Sequence, residues 1–441
     1  MSEIAKAVSS RSCYLRAFLC LIVVICLIML TVPLAPWKYT AYLPSQLTVF
    51  ESFFVRNSKN ATVKELLQDI SRRVKVPVLD CAAIFKGSIN ATVAAKHVLS
   101  NISVPLSDSF YLNLTEDCDV FQKQRGYIMS SLTDEEEQFP IAYSLMVYKD
   151  TEMVERLLRA IYRPQNLYCI HVDLKASNTT FEAISAIANC FNNVFLSSRR
   201  CDVIWGGYTV LEPELNCMED LWKYSKWKYF INLTGQEFPL RTNHELVKIL
   251  TLYRGAVDVM SSVKRVSFRR FPRRKGPPYR LRIVKGQVHI VVNREYVDFL
   301  LHNQIAKHLL GWSRITQFPD ETVFAILNSN PQLGIKGTYT KWPEESASRG
   351  SFARFKNWDK SGIPCAGRRV RKICILTTGD LPLLGQSLMM FANKFFLEED
   401  RVVIGCLEEK IFNDTRDEYM GTKVFNTTPY LNADFITNKV E

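Results

Sequence analysis

The chain is poor in the residues and spacings that mark several large classes of protein. Among 441 residues there are only six histidines, and they are scattered. That excludes a hydrolase triad readable from the sequence. No Cys-x-x-Cys pair occurs, which argues against a zinc site. There is no G-x-x-x-x-G-K-[ST] loop and no G-x-G-x-x-G turn, so the two commonest phosphate cradles are missing. The one Asp-x-Asp is Asp117-Cys118-Asp119, and its central cysteine looks destined for a disulfide. A divalent-metal site built on an acidic pair is therefore not expected. Internal repeats and low-complexity tracts are absent too, which leaves out solenoids and fibrous chains.

What remains is an ordinary globular composition, 47% hydrophobic and 23% charged, with a net charge of +12. Positive charge of that size suits nucleic acid, a membrane surface or an anionic small ligand, and location decides among them. Residues 17–35 form a run of 19 without a charge, preceded by Lys6, Arg11 and Arg16. As a helix the run spans about 28 Å, close to the thickness of bilayer hydrocarbon. The basic flank predicts residues 1–16 as a cytoplasmic tail and 17–35 as a signal anchor, with the rest lumenal. A cleaved signal peptide is the alternative, but the apolar stretch is long for one.

Two features support the lumenal side. Eight N-x-[ST] sequons follow the anchor, at Asn60, Asn90, Asn101, Asn113, Asn178, Asn232, Asn413 and Asn426. Nine dispersed cysteines lie beyond it, enough for four disulfides and one odd thiol. A lumenal domain has no nucleic acid to bind.

Residues 36–80 read as a stem, and 81–430 as the main domain, with 431–441 as a C-terminal tail. In the domain "IAYSLMVY", "LYCIHVD", "NVFLS" and "WKYFINLTG" read as strands, and apolar residues at helical spacing fill the segments between them. The β-α-β order implies parallel strands, right-handed crossovers and a doubly wound α/β sheet with flanking helices. Ligands of such sheets sit at the carboxyl ends of the strands. "KICILTTGDL" reads as a late strand and "LPLLGQSLMMFANKFF" as a late helix.

Four places could carry chemistry. Asp173 ends a predicted strand in "HVDLK", where it would meet a nucleoside or cap a turn. Arg368, Arg369, Arg371, Lys372 and Lys394 flank a late strand, and could neutralise a diphosphate or be surface charge. Lys264 to Lys285 holds ten basic residues and no acid, with Pro and Gly. It reads as a solvated loop, with an anionic or carbohydrate acceptor as the alternative. "TQFPDETVF" sets Asp320 and Glu321 behind a proline and ahead of an apolar run. Locally that is a helix start; the other reading is a buried general base.

Taken together, "ERLLRAIYRPQNLYCIHVDLK", "ELNCMEDL", "WKYFINLTGQEFPLRTN", "VNREYV", "PDET" and "TTGDLPLL…FANKF" resemble the core 2 / I-branching β-1,6-N-acetylglucosaminyltransferases. Xylosyltransferases are broader relatives that share an IWGG-like stretch. The resemblance implies a type II Golgi membrane enzyme with a GT-A-like fold, using UDP-N-acetylglucosamine with inversion and without a metal or other cofactor. It casts Glu321 as the base, its apolar surround raising its proton affinity. Asp173 becomes the uridine contact, Trp205 the aromatic near the nucleotide, and Arg371 with Lys394 the cations at the diphosphate. It pairs Cys81–Cys406, Cys118–Cys190, Cys169–Cys217 and Cys365–Cys374. Cys201 is left as a thiol through which two copies could join.

The chain departs from the family at Thr234, which stands where a free cysteine is usual, and across 255–290, where the acceptor region does not align. An expected acceptor-contacting glutamate is absent there. Asp258 and Trp358 are the acceptor-contact candidates that remain, and the acceptor expected is a galactose- or GalNAc-containing glycan. Beside the transferase stand two other readings: a non-catalytic homologue that binds a sugar nucleotide or a partner, and a transferase of xylosyltransferase type.

Overall fold

The structure, a computed structural model, describes residues 62–99, 105–272, 275–341 and 351–441. The expected cytoplasmic tail, anchor and most of the stem fall outside them, with the sequons Asn60 and Asn101. Among the described residues no helix is long and apolar enough to cross a membrane.

A mixed six-stranded sheet organises the domain. Its strands are β1 (Ile141–Val147), β2 (Leu167–Val172), β3 (Val194–Leu196), β4 (Tyr229–Thr234), β6 (Asp258–Ser262) and β7 (Lys285–Asn293), in the order β3-β2-β1-β4-β7-β6. β1 to β4 run parallel, and β7 runs antiparallel to β4 and β6. Both faces are covered, and the strand pleat sorts the side chains between them. Tyr143, Leu145, Val147, Ile170 and Ile231 pack into one core; Ala142, Cys169, Phe230, Ile290 and Val292 pack into the other. The crossover helices explain themselves locally. Thr151–Ile161 is capped by the Asp150 carboxylate, which accepts from the Met153 N–H, and Asn178–Asn189 is capped by Ser177.

A second, three-stranded sheet follows the order β5-β11-β8, with β5 Glu237–Pro239, β8 Arg354–Phe355 and β11 Phe391–Asn393. It corrects the expected late helix. Only Leu381–Gly385 is helical, and "FAN" pairs antiparallel with β5 and parallel with β8. The apolar run favoured neither period, and tertiary pairing decided it. The late strand is likewise short. β10 (Ile373–Cys374) pairs with β9 (Arg369–Val370) and makes one further bridge, from Ile373 to Trp358.

Both domain boundaries move outward. The helix through 62–73, expected in the stem, buries Leu67 and Ile70 against Ile128 and Phe412. Residues 431–441, expected as a tail, complete the fold. Phe435 and Ile436 enter the core, and the Val440 N–H donates to the Thr338 carbonyl at 2.7 Å.

All four disulfides that the resemblance implied are present, and Cys201 is free. The sequon at Asn232 needs correction. The residue lies in β4, is 3% exposed, and engages its amide with the Val288 carbonyl and the Ile290 N–H. A side chain so placed cannot carry a glycan in this fold. Asn90, Asn113, Asn178 and Asn426 are exposed, and Asn413 is half-buried.

Candidate active site

β7 enters the sheet against the direction of β4, so its first residue lies at the carboxyl edge of the parallel strands. Lys285 is that residue. Next to it, Gly286 lets the segment 319–326 approach: a Cβ there would meet the Ala325 Cβ at 2.6 Å. The approach sets Glu321 beside Lys285, with Nζ–Oε2 at 3.4 Å. The Arg270 Nη1 donates to the same oxygen at 2.5 Å. Both cations hold Oε2, leaving Oε1 to take a proton. Glu321 ends a short 3-10 turn, Pro319–Glu321, and is about a quarter exposed. The expected apolar surround is thus corrected to a cationic one. Its source is the basic segment 264–285, which read locally as solvated.

Aromatic rings join this carboxylate to a second set of cations. Arg270 lies 4.3 Å over the Phe318 ring. Phe318 meets Trp205 edge-on at 4.8 Å, and Arg371 lies 4.8 Å over Trp205. Phe318 holds φ +55°, a left-handed conformation that costs a phenylalanine about 1 kcal/mol or more. The Phe318 N–H donates to the Gly206 carbonyl at 2.9 Å. Gly206 has φ +82°, and a Cβ would press the Phe318 ring at 3.2 Å. Glycine is therefore required for this contact.

Arg371 and Lys372 form the two-residue loop between β9 and β10, with φ +49° and +69°. Such a loop prefers Asn-Gly. Here two long cations occupy it, tied down by the Cys365–Cys374 disulfide. Lys394 follows β11 and feels Arg371: burial first, then that neighbour, lowers its pKa. Trp358 bridges to Ile373 next to the same loop, is 39% exposed, and has the Lys356 ammonium 5.5 Å from its ring. Lys356 is held down to about 8 by burial, against the pull of Glu237 and Glu321.

Asp173 follows β2 and is buried. Its carboxylate accepts from the Lys175 Nζ at 2.8 and 3.0 Å; the same ammonium donates to Asp202 at 2.6 Å and to the Val203 carbonyl at 2.8 Å. Lys175 thereby pins the loop that carries Trp205 to the end of β2. His171 accepts from the Cys201 N–H, and burial lowers it to about 4, so it sits neutral as a brace.

Asp258 is placed elsewhere. It is buried, and its Oδ2 accepts from the Tyr253 hydroxyl at 3.1 Å and the Phe352 N–H at 2.9 Å. Burial pushes it up to about 6. Its partners are structural, so it does not join the open site. Arg270, Lys285, Lys356 and Phe318 were missed in the sequence. For Arg270 and Lys285 the only signal was the acid-free run of basic residues, which singles out neither; Phe318 and Lys356 lie outside it.

Beneath the site lies a buried polar layer. Arg354 donates from Nε to Glu237 at 2.6 Å and also to the Asn232 carbonyl; the Ser144 hydroxyl donates to Glu214. Burial pushes Glu214 up to about 7, against hydrogen bonds from Ser144 and Asn232 that lower it. Between about pH 4.5 and 7 the unfolded glutamate loses a proton that the folded one keeps, so this group destabilises the fold as pH rises. Glu214→Gln should match wild type near pH 5 and be more stable at pH 8, by up to about 3 kcal/mol. Paired urea melts at the two pH values check it; equal stabilities at pH 8 would refute it.

Among the described residues no cluster of three or more His, Cys, Asp or Glu is gathered as for a metal. A mixed α/β sheet with an acid, an aromatic bridge and two cation sets at its carboxyl edge is the layout of a glycosyltransferase. The comparisons agree and go further. The family model for Core-2/I-branching enzymes matches residues 141–384. A human β-1,3-galactosyl-O-glycosyl-glycoprotein β-1,6-N-acetylglucosaminyltransferase is 35% identical over 364 residues, 76% of this chain and 85% of its own length. A second human enzyme of that name, numbered 3, is 34% identical over 80% of this chain and 87% of its own. The counterpart from Bovine herpesvirus 4 is 36% identical over 75% and 82%. The chain belongs to the Core-2/I-branching enzyme family.

Proposed function

We propose that this protein transfers N-acetylglucosamine from UDP-N-acetylglucosamine to a galactose- or GalNAc-containing glycan in β-1,6 linkage, inverting the anomeric centre. The carrying observation is the continuous line from Glu321 through Arg270, Phe318 and Trp205 to Arg371 and Lys394. In this GT-A-like reading, Glu321 Oε1 takes the proton of the acceptor's 6-hydroxyl as that oxygen attacks the anomeric carbon. The bond to UDP breaks on the opposite face. Arg371 and Lys394 receive the charge that develops on the diphosphate, the work otherwise given to a divalent ion. Asp173 holds the uridine, with Lys175 exchanging part of its hold to make room, and Trp205 flanks the nucleotide. Trp358 offers its exposed face to an acceptor sugar. Asp258 is left out of acceptor binding because its oxygen is already engaged.

The setting is a Golgi membrane, with residues 17–35 as anchor and the domain in the lumen; the exposed sequons and the disulfides support it. A dimer through Cys201 gains no support, since Cys201 is half-buried and accepts from the Asn216 amide at 3.4 Å.

The test is an incubation of purified protein with UDP-N-acetylglucosamine, excess EDTA and an acceptor panel. Transfer in β-1,6 linkage that survives EDTA is the expected result. Nucleotide binding without transfer would favour a non-catalytic homologue, and turnover of UDP-xylose a different donor.

A further inference from the structure

The acceptor side of the site carries more positive charge than its own acids match. Arg270 and Lys285 both reach Glu321, and Lys356 lies close enough to feel Glu321 and Lys285. The nearby Glu237 also draws on Lys356, but it is fully buried and already paired with Arg354 at 2.6 Å. Even with the buried Asp320 counted, three cations face two carboxylates among the described residues. Arg270 and Lys285, which hold Glu321, stand apart from the cations proposed for the donor. Arg371 and Lys394 lie across two aromatic rings from Arg270. Arg270 and Lys285 belong to a segment, 264–285, whose sequence holds no acid.

Holding cations together without a counterion is unfavourable, and a half-buried lysine stays charged more readily when an anion arrives. Among the described residues Lys356 has no hydrogen-bonded acid of its own. It leans over the face of Trp358, whose exposed ring is the flat apolar surface on which a sugar can stack. A substituent on a sugar stacked there would fall beside the Lys356 ammonium.

We infer that the acceptor of this site is an anionic glycan, whose sulfate ester or carboxylate is held by Lys356 and Lys285 beside the Trp358 face. The inference rests on the transferase reading above and names its acceptor class. Lys356 is a specificity-determining residue in it, and Glu321 keeps its role as base.

The experiment uses three probes on the purified protein: a β-1,3-galactosyl-GalNAc glycoside, the same glycoside with a sulfate on galactose, and the same with a sialic acid there. Both kcat/KM and direct binding, by saturation-transfer NMR, are measured. At least one anionic probe should exceed the neutral one by about tenfold or more, the range of a charge-assisted hydrogen bond. The two anionic arms distinguish sulfate from carboxylate. Lys356→Met should cut that ratio by about tenfold, and Lys356→Arg should restore most of it. Retained UDP binding in both variants shows that the fold is intact. A ratio of one or below in wild type overturns the inference while transfer to the neutral probe keeps the transferase reading. Tighter binding of an anionic probe with no transfer to any probe would do the reverse.

Discussion

Replacing Glu321 with Gln should lower kcat by about a thousandfold while UDP binding stays within a few-fold of wild type. The substitution keeps the volume and one oxygen, so Arg270 and Lys285 retain an acceptor for their hydrogen bonds. What disappears is the group able to accept the acceptor's proton. In the proposed mechanism the leaving group is a diphosphate, so no second acid is needed and one residue would carry the whole proton-transfer step. Single-turnover kinetics with UDP-N-acetylglucosamine, alongside calorimetric titration of UDP, separates the two quantities. If the variant keeps a tenth or more of wild-type turnover, Glu321 is not the base.

The second large effect concerns the cations. Arg371→Met and Lys394→Met should each reduce kcat by about a hundredfold or more, as expected where a fixed donor meets charge that develops in the transition state. Neither loss should be repaired by added Mg²⁺ or Mn²⁺. Arg371 supports a sharper version. Its φ of +49° is a conformation that glycine adopts freely. Arg371→Gly should therefore stabilise the fold by up to about 1 kcal/mol while the rate collapses. A thermal melt and a rate measured on one preparation give both signs. Loss of stability together with activity would show that the arginine is structural.

Much of the architecture could be read from hydrophobic periodicity. The units from Ile141 to Thr234 alternate cleanly because strands buried on both faces show continuous apolar runs, and their crossover helices show spaced ones. Periodicity failed after Leu381, where a short apolar segment takes its structure from pairing partners at 237–239 and 354–355. The site was less legible. Glu321, Asp173, Arg371 and Lys394 came through family likeness; their local sequence suits a helix start, a turn cap or surface charge equally well. Arg270 stayed hidden because it stands among ten like residues, and what distinguishes it is a partner 51 positions away. Asp258 shows the converse error. An acid near the right place in sequence turned out to face Tyr253 and Phe352 in the interior.

The crosslinks also set an order on biosynthesis. Cys118–Cys190 and Cys169–Cys217 enclose 72 and 48 positions, so both halves of each emerge early. Cys81 has to wait for Cys406, 325 positions later. Through most of translation it remains unpaired in a nascent polypeptide that also displays Cys201. Escape from mispairing then depends on how quickly folding half-buries Cys201 beside Asn216.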